Sequence, residues 1–207
     1  MPRNPRRRPQ RSSRFRPSVA SLESRLVLSA VGAGANVADV LSYHGDNSRT
    51  GTDTTETTLS PSTVNATSFG KLFSDKVDGQ VYAQPLYVES LKMSDGTVHS
   101  VLFVATENDS VYALDATSPT AGPNHDGVLW HDSFVNPAQG ITPVSSNDVD
   151  VTDIMPNIGI TGTPVIDPAT NALYLVAATK VTTAIGGVNE VGRRFDERGA
   201  FAGLPDR

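Results

Sequence analysis

From residue 38 onward, short apolar runs alternate with clusters of turn-forming residues, and there is little helical periodicity. Four runs have the length and the β-branched or aromatic content of strands. They cover residues 80–88, 101–106, 111–116 and 127–134. The run at 101–106 is apolar throughout, which indicates burial on both faces. Because short turns separate these runs, the pattern predicts an antiparallel meander of four strands.

The strand pattern then restarts further along the chain. Residues 162–167 echo 83–88, and residues 172–179 echo 101–106, so that Pro164 occupies the place of Pro85. A repeated strand meander is typical of a propeller or a related radial array. The two prolines are 79 residues apart, whereas a typical blade has roughly 40–50 residues. We therefore place the extra length in two polar loops, around 89–100 and 135–158. A plain β-sandwich is the alternative fold.

Charge divides the chain into three segments. Residues 1–35 hold eight arginines and one acid, residues 36–180 hold five bases and seventeen acids, and residues 181–207 are neutral. A basic start followed by a short apolar run that ends in Ala33-Gly34-Ala35 is typical of an export signal. A basic arm for nucleic acid is the competing interpretation. Because the acidic body would repel nucleic acid, we favour export.

Composition excludes several classes of protein. The 207 residues contain no cysteine, which excludes a disulfide scaffold, cysteine-ligated zinc, iron–sulfur clusters and a thiol nucleophile. The chain has no run of 18 apolar residues, so no transmembrane helix is predicted. We divide the chain into a disordered or removed export segment at 1–35, a β-rich body at 36–180, and an atypical polar tail at 181–207 that is expected to be disordered.

One acidic loop is a candidate metal site. Asp148, Asp150 and Asp153 lie within six positions of one another. In an extended segment Asp148 and Asp150 project on the same side, where they could share a calcium ion. No EF-hand glycine or glutamate completes the loop. A solvated acidic loop without metal is the alternative.

The histidines are assigned structural roles. His125-Asp126 and His131-Asp132 form two pairs six residues apart, but nothing in this spacing makes them converge on a metal. The G-x-S-x-G nucleophile motif of hydrolases does not occur. His44 lies in a turn, which we expect to be closed by polar oxygens of residues 46–51.

Three further features are also interpreted structurally. Trp130, the single tryptophan, is expected to bury its ring between strand units while its N–H finds a carbonyl partner. Asp115 is expected to end its strand by accepting backbone N–H bonds. Residues 107–109 are interpreted simply as a hairpin turn.

Two resemblances extend this picture. Residues 22–30, Leu-Glu-Ser-Arg-Leu-Val-Leu-Ser-Ala, resemble the L-E-x-R-L-x-L-S-A signature of exported bacterial surface proteins. The body resembles one blade of a pyrroloquinoline-quinone-type (quinoprotein alcohol dehydrogenase-like) β-propeller, preceded by two segments like those before the first blade of such chains. The matching residues are 43–51, 59–64, 82–88, 102–106, 109–116 and 129–130.

The second resemblance implies an all-β, incomplete propeller of about one and a half four-stranded antiparallel blades. Such dehydrogenases hold the quinone with Ca²⁺ and a catalytic aspartate on the propeller axis, but no residue here can be matched to those groups. We therefore assign no catalytic or cofactor-binding residue and do not expect the quinone to bind, although calcium remains a candidate ligand.

The expected function is an exported, non-catalytic surface or secreted module that acts as a scaffold or binding surface. Its partner would be a protein, a cell-surface ligand or further blades. One alternative is a fragment of a quinone-dependent dehydrogenase. Another is an interrupted gene product without independent activity, favoured because no third strand is predicted after Lys180.

Overall fold

The computed structural model describes residues 39–54, 59–67, 69–93 and 95–182, together with the backbone of residues 189–196. Contacts divide the chain between Ala35 and Asn36, and every described residue belongs to the second unit. The export segment at 1–35, and residues 183–188 and 197–207 of the tail, lie outside the described residues. The described part is all-β: its only helical elements are two short 3₁₀ turns, Pro137–Gln139 and Ser146–Asp148.

The first sheet is a meander of four antiparallel strands. These are β1 (Leu86–Lys92), β2 (Val98–Ala105), β3 (Ser110–Asp115) and β4 (Val128–Ser133), and each pairs with the next. The predicted meander is confirmed, but its bounds differ: residues 80–85 of the first predicted strand form no strand, and β1 begins at Leu86, directly after Pro85. β1 and β2 extend into the stretch at 89–100 that was expected to be a polar loop, because a bulge between Val88 and Leu91 keeps the two strands paired as far as Lys92 and Val98.

The second sheet has five strands. They are β5 (Ile141–Ser145), β6 (Asn157–Ile158), β7 (Val165–Asp167), β8 (Ala172–Thr182) and β9 (Asn189–Asp196). β8 is its central element: residues 172–174 pair with β7, residues 179–181 with β5, and residues 175–182 with β9.

Two parts of the second sheet differ from the sequence-based expectation. The stretch at 135–158 was expected to be a polar loop, but β5 and β6 lie within it. The tail was expected to begin at residue 181 and to lack a third strand, whereas β8 continues to Thr182 and β9 pairs with it along eight residues. The sequence of β9 lacks apolar alternation and so did not indicate a strand. Pairing does not require that pattern, because an open strand edge offers backbone donors and acceptors to any extended partner.

The two sheets share one hydrophobic core. Buried side chains from one face of the first sheet and from the second sheet belong to a single cluster, which also includes Ile160 from the segment before β7. Its members on the strands are Leu86, Val101, Phe103, Ala105, Val111, Ala113, Ile166, Leu173 and Ala177.

A smaller cluster covers the opposite face of the first sheet. Val104, Tyr112 and Leu114 are buried there, with Val77 from the segment before β1 packed against them. The first sheet is therefore buried on both faces, as the unbroken apolar run at 101–106 predicted.

The predicted repeat is present in the pairing register. Leu86 pairs with Phe103 in the first sheet, and Val165 pairs with Tyr174 in the second. Because Pro85 and Pro164 immediately precede Leu86 and Val165, the two hairpins begin at the same point of the repeat. The described strands form neither a closed barrel nor a complete propeller.

Candidate functional site

The hairpin turn between β2 and β3, residues 106–110, is the most polar buried part of the described structure; we call it the acidic turn. The Thr106 N–H donates to the Ser110 carbonyl at 2.9 Å, and the Asp109 N–H donates to the Thr106 carbonyl at 3.2 Å. Asp109 adopts a left-handed backbone conformation with a φ of +57°, which aspartate and asparagine tolerate better than most residues. The prediction of a hairpin turn at 107–109 is thus confirmed.

Glu107 connects this turn to the segment that leads into β7. Its Oε2 atom accepts the Gly159 N–H at 2.7 Å and the Thr161 hydroxyl at 3.0 Å. The contact depends on a close backbone approach, because a Cβ atom at residue 159 would lie 2.6 Å from the Glu107 carbonyl oxygen. Glycine therefore lets the two segments meet.

Asp109 connects the same turn directly to the second sheet. Its Oδ1 atom accepts the N–H of Ala178 in β8 at 3.1 Å. Ala178 lies in the stretch of β8 that pairs with β9, and between the part that pairs with β7 and the part that pairs with β5. Its own N–H bonds to the Asp109 side chain. The Asp109 carbonyl also accepts the N–H of Phe134, just after β4, at 2.9 Å.

Asp78 holds the turn from the other side. Its two carboxylate oxygens accept the hydroxyls of Thr106 at 2.9 Å and Ser110 at 2.6 Å, and its carbonyl accepts the Asn108 side-chain amide. A groove of about 300 Å³ opens beside these contacts, with Asp78 and Glu107 among its lining residues.

The electrostatics of the turn are unusual because its acids have no cationic partner among the described side chains. Glu107 is 2% exposed and Asp109 is 0% exposed, and within the described residues Oε1 of Glu107 and Oδ2 of Asp109 are buried without a hydrogen-bond donor. Burial raises the pKa of Asp109 to about 7, although the Ala178 N–H opposes this, and the charges of Glu107 and Asp78 raise it further. No basic side chain of the described part forms an ion pair with these acids.

The three aspartates of the candidate calcium loop have different surroundings. Both carboxylate oxygens of Asp148 bond to the Lys180 ammonium, at 2.8 and 2.9 Å, and Oδ2 also accepts the Ser145 N–H. Asp150 and Asp153 are exposed. Across the described ranges, no three histidine or acidic side chains are grouped so that they could hold a metal ion.

The histidine pairs likewise lie apart from any shared centre. His125 is exposed in the connection between β3 and β4, whereas the ring of His131 stacks on that of Tyr112 at 4.3 Å. The predicted turn around His44 is confirmed, because Asp46 accepts the Thr50 N–H at 3.3 Å.

The predicted role of Asp115 is confirmed. Its Oδ1 atom accepts the N–H groups of Thr117 and Ser118 at 2.7 and 2.8 Å, and its Oδ2 atom lies 2.6 Å from Nδ1 of His99. The expectation for Trp130 is only half correct. Its ring packs against the shared core, but its buried N–H has no partner within the described structure.

One cavity of the described part does not suit a quinone cofactor. It has a volume of about 580 Å³ and is lined by residues near the turn at 44–51, including Asp39, Asp46 and Asp53 but no lysine or arginine. Pyrroloquinoline quinone is a polycarboxylate, which this acidic lining would repel. We therefore derive no chemical step from such a cofactor.

Sequence reasoning missed the acidic turn as a site because its pattern is that of an ordinary hairpin. One signal was present: Glu107 and Asp109 immediately follow a strand predicted to be buried on both faces. Acids at the end of such a strand have limited access to water and need internal partners.

No family model, curated protein or solved structure matches the chain. Across the residues that the structure describes, no helix has the length and apolar character required to cross a membrane.

Proposed function

We propose that this chain is an exported, non-catalytic module of the β-propeller type, which acts as a scaffold or binding surface outside the cytoplasm. In this proposal the two sheets are neighbouring blades of an incomplete propeller. The repeated hairpin register supports it, together with the single core that the two sheets share. The export motif and the net charge of the arginine-rich segment support secretion.

The observation that carries the proposal is a difference in exposure between equivalent positions. Leu86 and Phe103, which pair in the first sheet, are 0% and 2% exposed in the shared core. Val165 and Tyr174, their equivalents in the second sheet, are 47% and 42% exposed. Val176 in β8, two residues beyond Tyr174, is also exposed. We call Val165, Tyr174 and Val176 the open face.

This open face fits a repeated, head-to-tail stack of sheets. The first sheet uses these positions to contact the second, so the same positions of the second sheet are free for another sheet of the same kind. Exposed apolar patches of this sort commonly mark interaction surfaces. A further antiparallel meander could cover the open face if it presented apolar residues like Leu173 and Ala177, which face the first sheet here.

Self-association of the purified chain tests the open face. We expect the wild type to associate weakly, because water contact with this apolar face is unfavourable. The double variant Tyr174→Thr/Val176→Thr should associate at least tenfold more weakly in sedimentation velocity. Val98→Thr, which changes an exposed valine at the start of β2, is the matched control and should behave like the wild type. A strictly monomeric wild type, or equal association of all three proteins, would contradict the proposal.

Recovery of the chain from cultures of its native organism tests export. We expect the extracellular or surface fraction to contain the chain, shortened near residue 35 in intact-mass analysis, because an export signal of this kind is removed on secretion. Finding only the full-length chain inside the cell would exclude this part of the proposal.

A further inference from the structure

The acidic turn controls a contact between two separate parts of the fold. Glu107 and Asp109 lie on the first sheet's hairpin, and their carboxylates accept hydrogen bonds from Gly159 and from Ala178 of the second sheet. The Glu107 contact is buried and the Asp109 contact is partly buried, so a change of charge at either acid acts directly on the packing of the two sheets.

Among the side chains that the structure describes, the charged groups that face Asp109 are all acidic. Glu107 lies on the same turn, and Asp78 approaches from the segment before β1. β8 contributes the backbone N–H of Ala178, and the end of β4 contributes that of Phe134, which bonds to the Asp109 carbonyl. Lys180, the nearest base along β8, is engaged by Asp148. A negative charge on Asp109 would therefore be buried beside other carboxylates with one N–H to stabilise it.

A proton on Asp109 removes this conflict. The Oδ2 atom is buried and has no donor, whereas Oδ1 already accepts a hydrogen bond. Protonation at Oδ2 leaves a neutral acid that still accepts the Ala178 N–H. Ionisation releases that proton to solvent and leaves an uncompensated charge, which water can solvate only if the sheets move apart.

We propose that the acidic turn is a proton-dependent contact, which holds the second sheet against the first when Asp109 is protonated and loosens when Asp109 is ionised. The range of pH follows from the pKa of Asp109, which is about 7 in the folded chain against 3.8 for an ordinary aspartate. Because the folded pKa is raised, the stabilisation is fully present below about pH 4 and is lost as the pH rises to about 7.

Hydrogen exchange of single amides in the full-length chain tests this. The opening constant of the Ala178 amide should rise by up to about tenfold per pH unit between pH 5 and 7 and then level off, because opening releases one proton. The amide of Ala113, at the centre of the first sheet, should show no such dependence. Protection factors corrected for the intrinsic pH dependence of exchange would measure both.

Two variants isolate the carboxylate. Asp109→Asn keeps an acceptor for the Ala178 N–H and suits the left-handed backbone, but it has no charge to lose, so its Ala178 opening constant should not vary with pH. Asp132→Asn is the matched control, since Asp132 is exposed and also accepts one backbone N–H; it should follow the wild type. Identical pH dependence in wild type and Asp109→Asn would overturn the proposal.

A direct titration makes the test independent of whether Asp109→Asn folds. Carbon-13 NMR of the aspartate carboxyl groups in the wild type should show one group with a midpoint near pH 7. If every aspartate titrates below pH 5, the proposal is wrong. The midpoint should be unchanged when the titration is repeated in about 5 mM CaCl₂. A calcium-induced fall of the midpoint would show that a cation, not a proton, neutralises the turn.

Discussion

The two sheets begin with the same hairpin register and differ in what covers them. The first sheet is buried between the second sheet on one side and the segment around Val77 on the other. The second sheet is covered by the first on one face, and its opposite face exposes Val165 and Tyr174. The same positions of one repeat are therefore core in one copy and surface in the next, so burial here is set by neighbours and not by the strand sequence alone.

The largest effect should come from the aromatic residues at equivalent positions. Phe103→Ala removes a ring from the shared core and should lower the free energy of unfolding by about 3–5 kcal/mol. Tyr174→Ala removes a ring from the open face and should cost less than about 1 kcal/mol. Urea unfolding followed by Trp130 fluorescence would measure both. Similar losses in the two variants would mean that the open face is covered.

A smaller effect is expected at the contact between the acidic turn and the segment before β7. Gly159→Ala would place a Cβ atom 2.6 Å from the Glu107 carbonyl oxygen. Because both sides of this contact are backbone, one segment must shift, at a cost of roughly 1–3 kcal/mol.

Gly162→Ala is the matched control for that substitution. Gly162 lies three residues further on, and a Cβ atom there would meet nothing within 4 Å. We expect its urea midpoint to match the wild type or to rise slightly, since alanine restricts the unfolded chain. An equal loss in both variants would show that the clash at residue 159 is unimportant.

The smallest effect concerns the aspartates that end strands in the two sheets. Burial alone would raise the pKa of Asp115, but the hydrogen bonds from Thr117, His99 and Ser118 outweigh it and the pKa is lowered. In the second sheet, the Ala169 N–H and the Thr170 hydroxyl lower the pKa of Asp167.

Because both folded pKa values are depressed, their stabilisation is present above about pH 4 and is lost as the pH falls below it. Asp115→Asn should cost about 1 kcal/mol at pH 7, the difference between a charged and a neutral acceptor. Asp167→Asn should cost less, since Asp167 is closer to solvent. Urea midpoints at pH 7 and pH 3 would measure this, and the deficit of Asp115→Asn relative to the wild type should shrink at pH 3. A deficit that grows in acid would contradict the assignment.

The strands that the sequence predicted correctly are those whose hydrophobic pattern indicates burial. Residues 101–106 and 111–116 are mostly apolar and β-branched or aromatic. They correspond to β3 within one residue at each end and to β2 except for its first three residues. The repeat around Pro85 and Pro164 was also predicted, although β1 and β7 begin only after these prolines. Local pattern was sufficient for β2 and β3 because each pairs with the next strand along the chain.

The remaining elements depend on distant partners that local pattern does not reveal. β5 pairs with β8 across almost forty residues of chain, with Thr142 opposite Lys180. The roles of Glu107 and Asp109 depend on amides at residues 159 and 178. The turn at 107–109 could be predicted as a hairpin, but its function in joining the sheets could not.

The position of Ala178 has a consequence for the order of folding. Apart from β9, which follows β8 along the chain, the partners of β8 come from residues 141–143, from 165–167 and from the side chain of Asp109. The first sheet, in contrast, needs only contacts between successive hairpin strands. Closing long loops costs entropy before any contact compensates for it. We therefore expect the first meander to form early and to serve as the template on which β8 finds its place, so that a nascent chain stalled near residue 135 would already contain a four-stranded sheet with one face open to water.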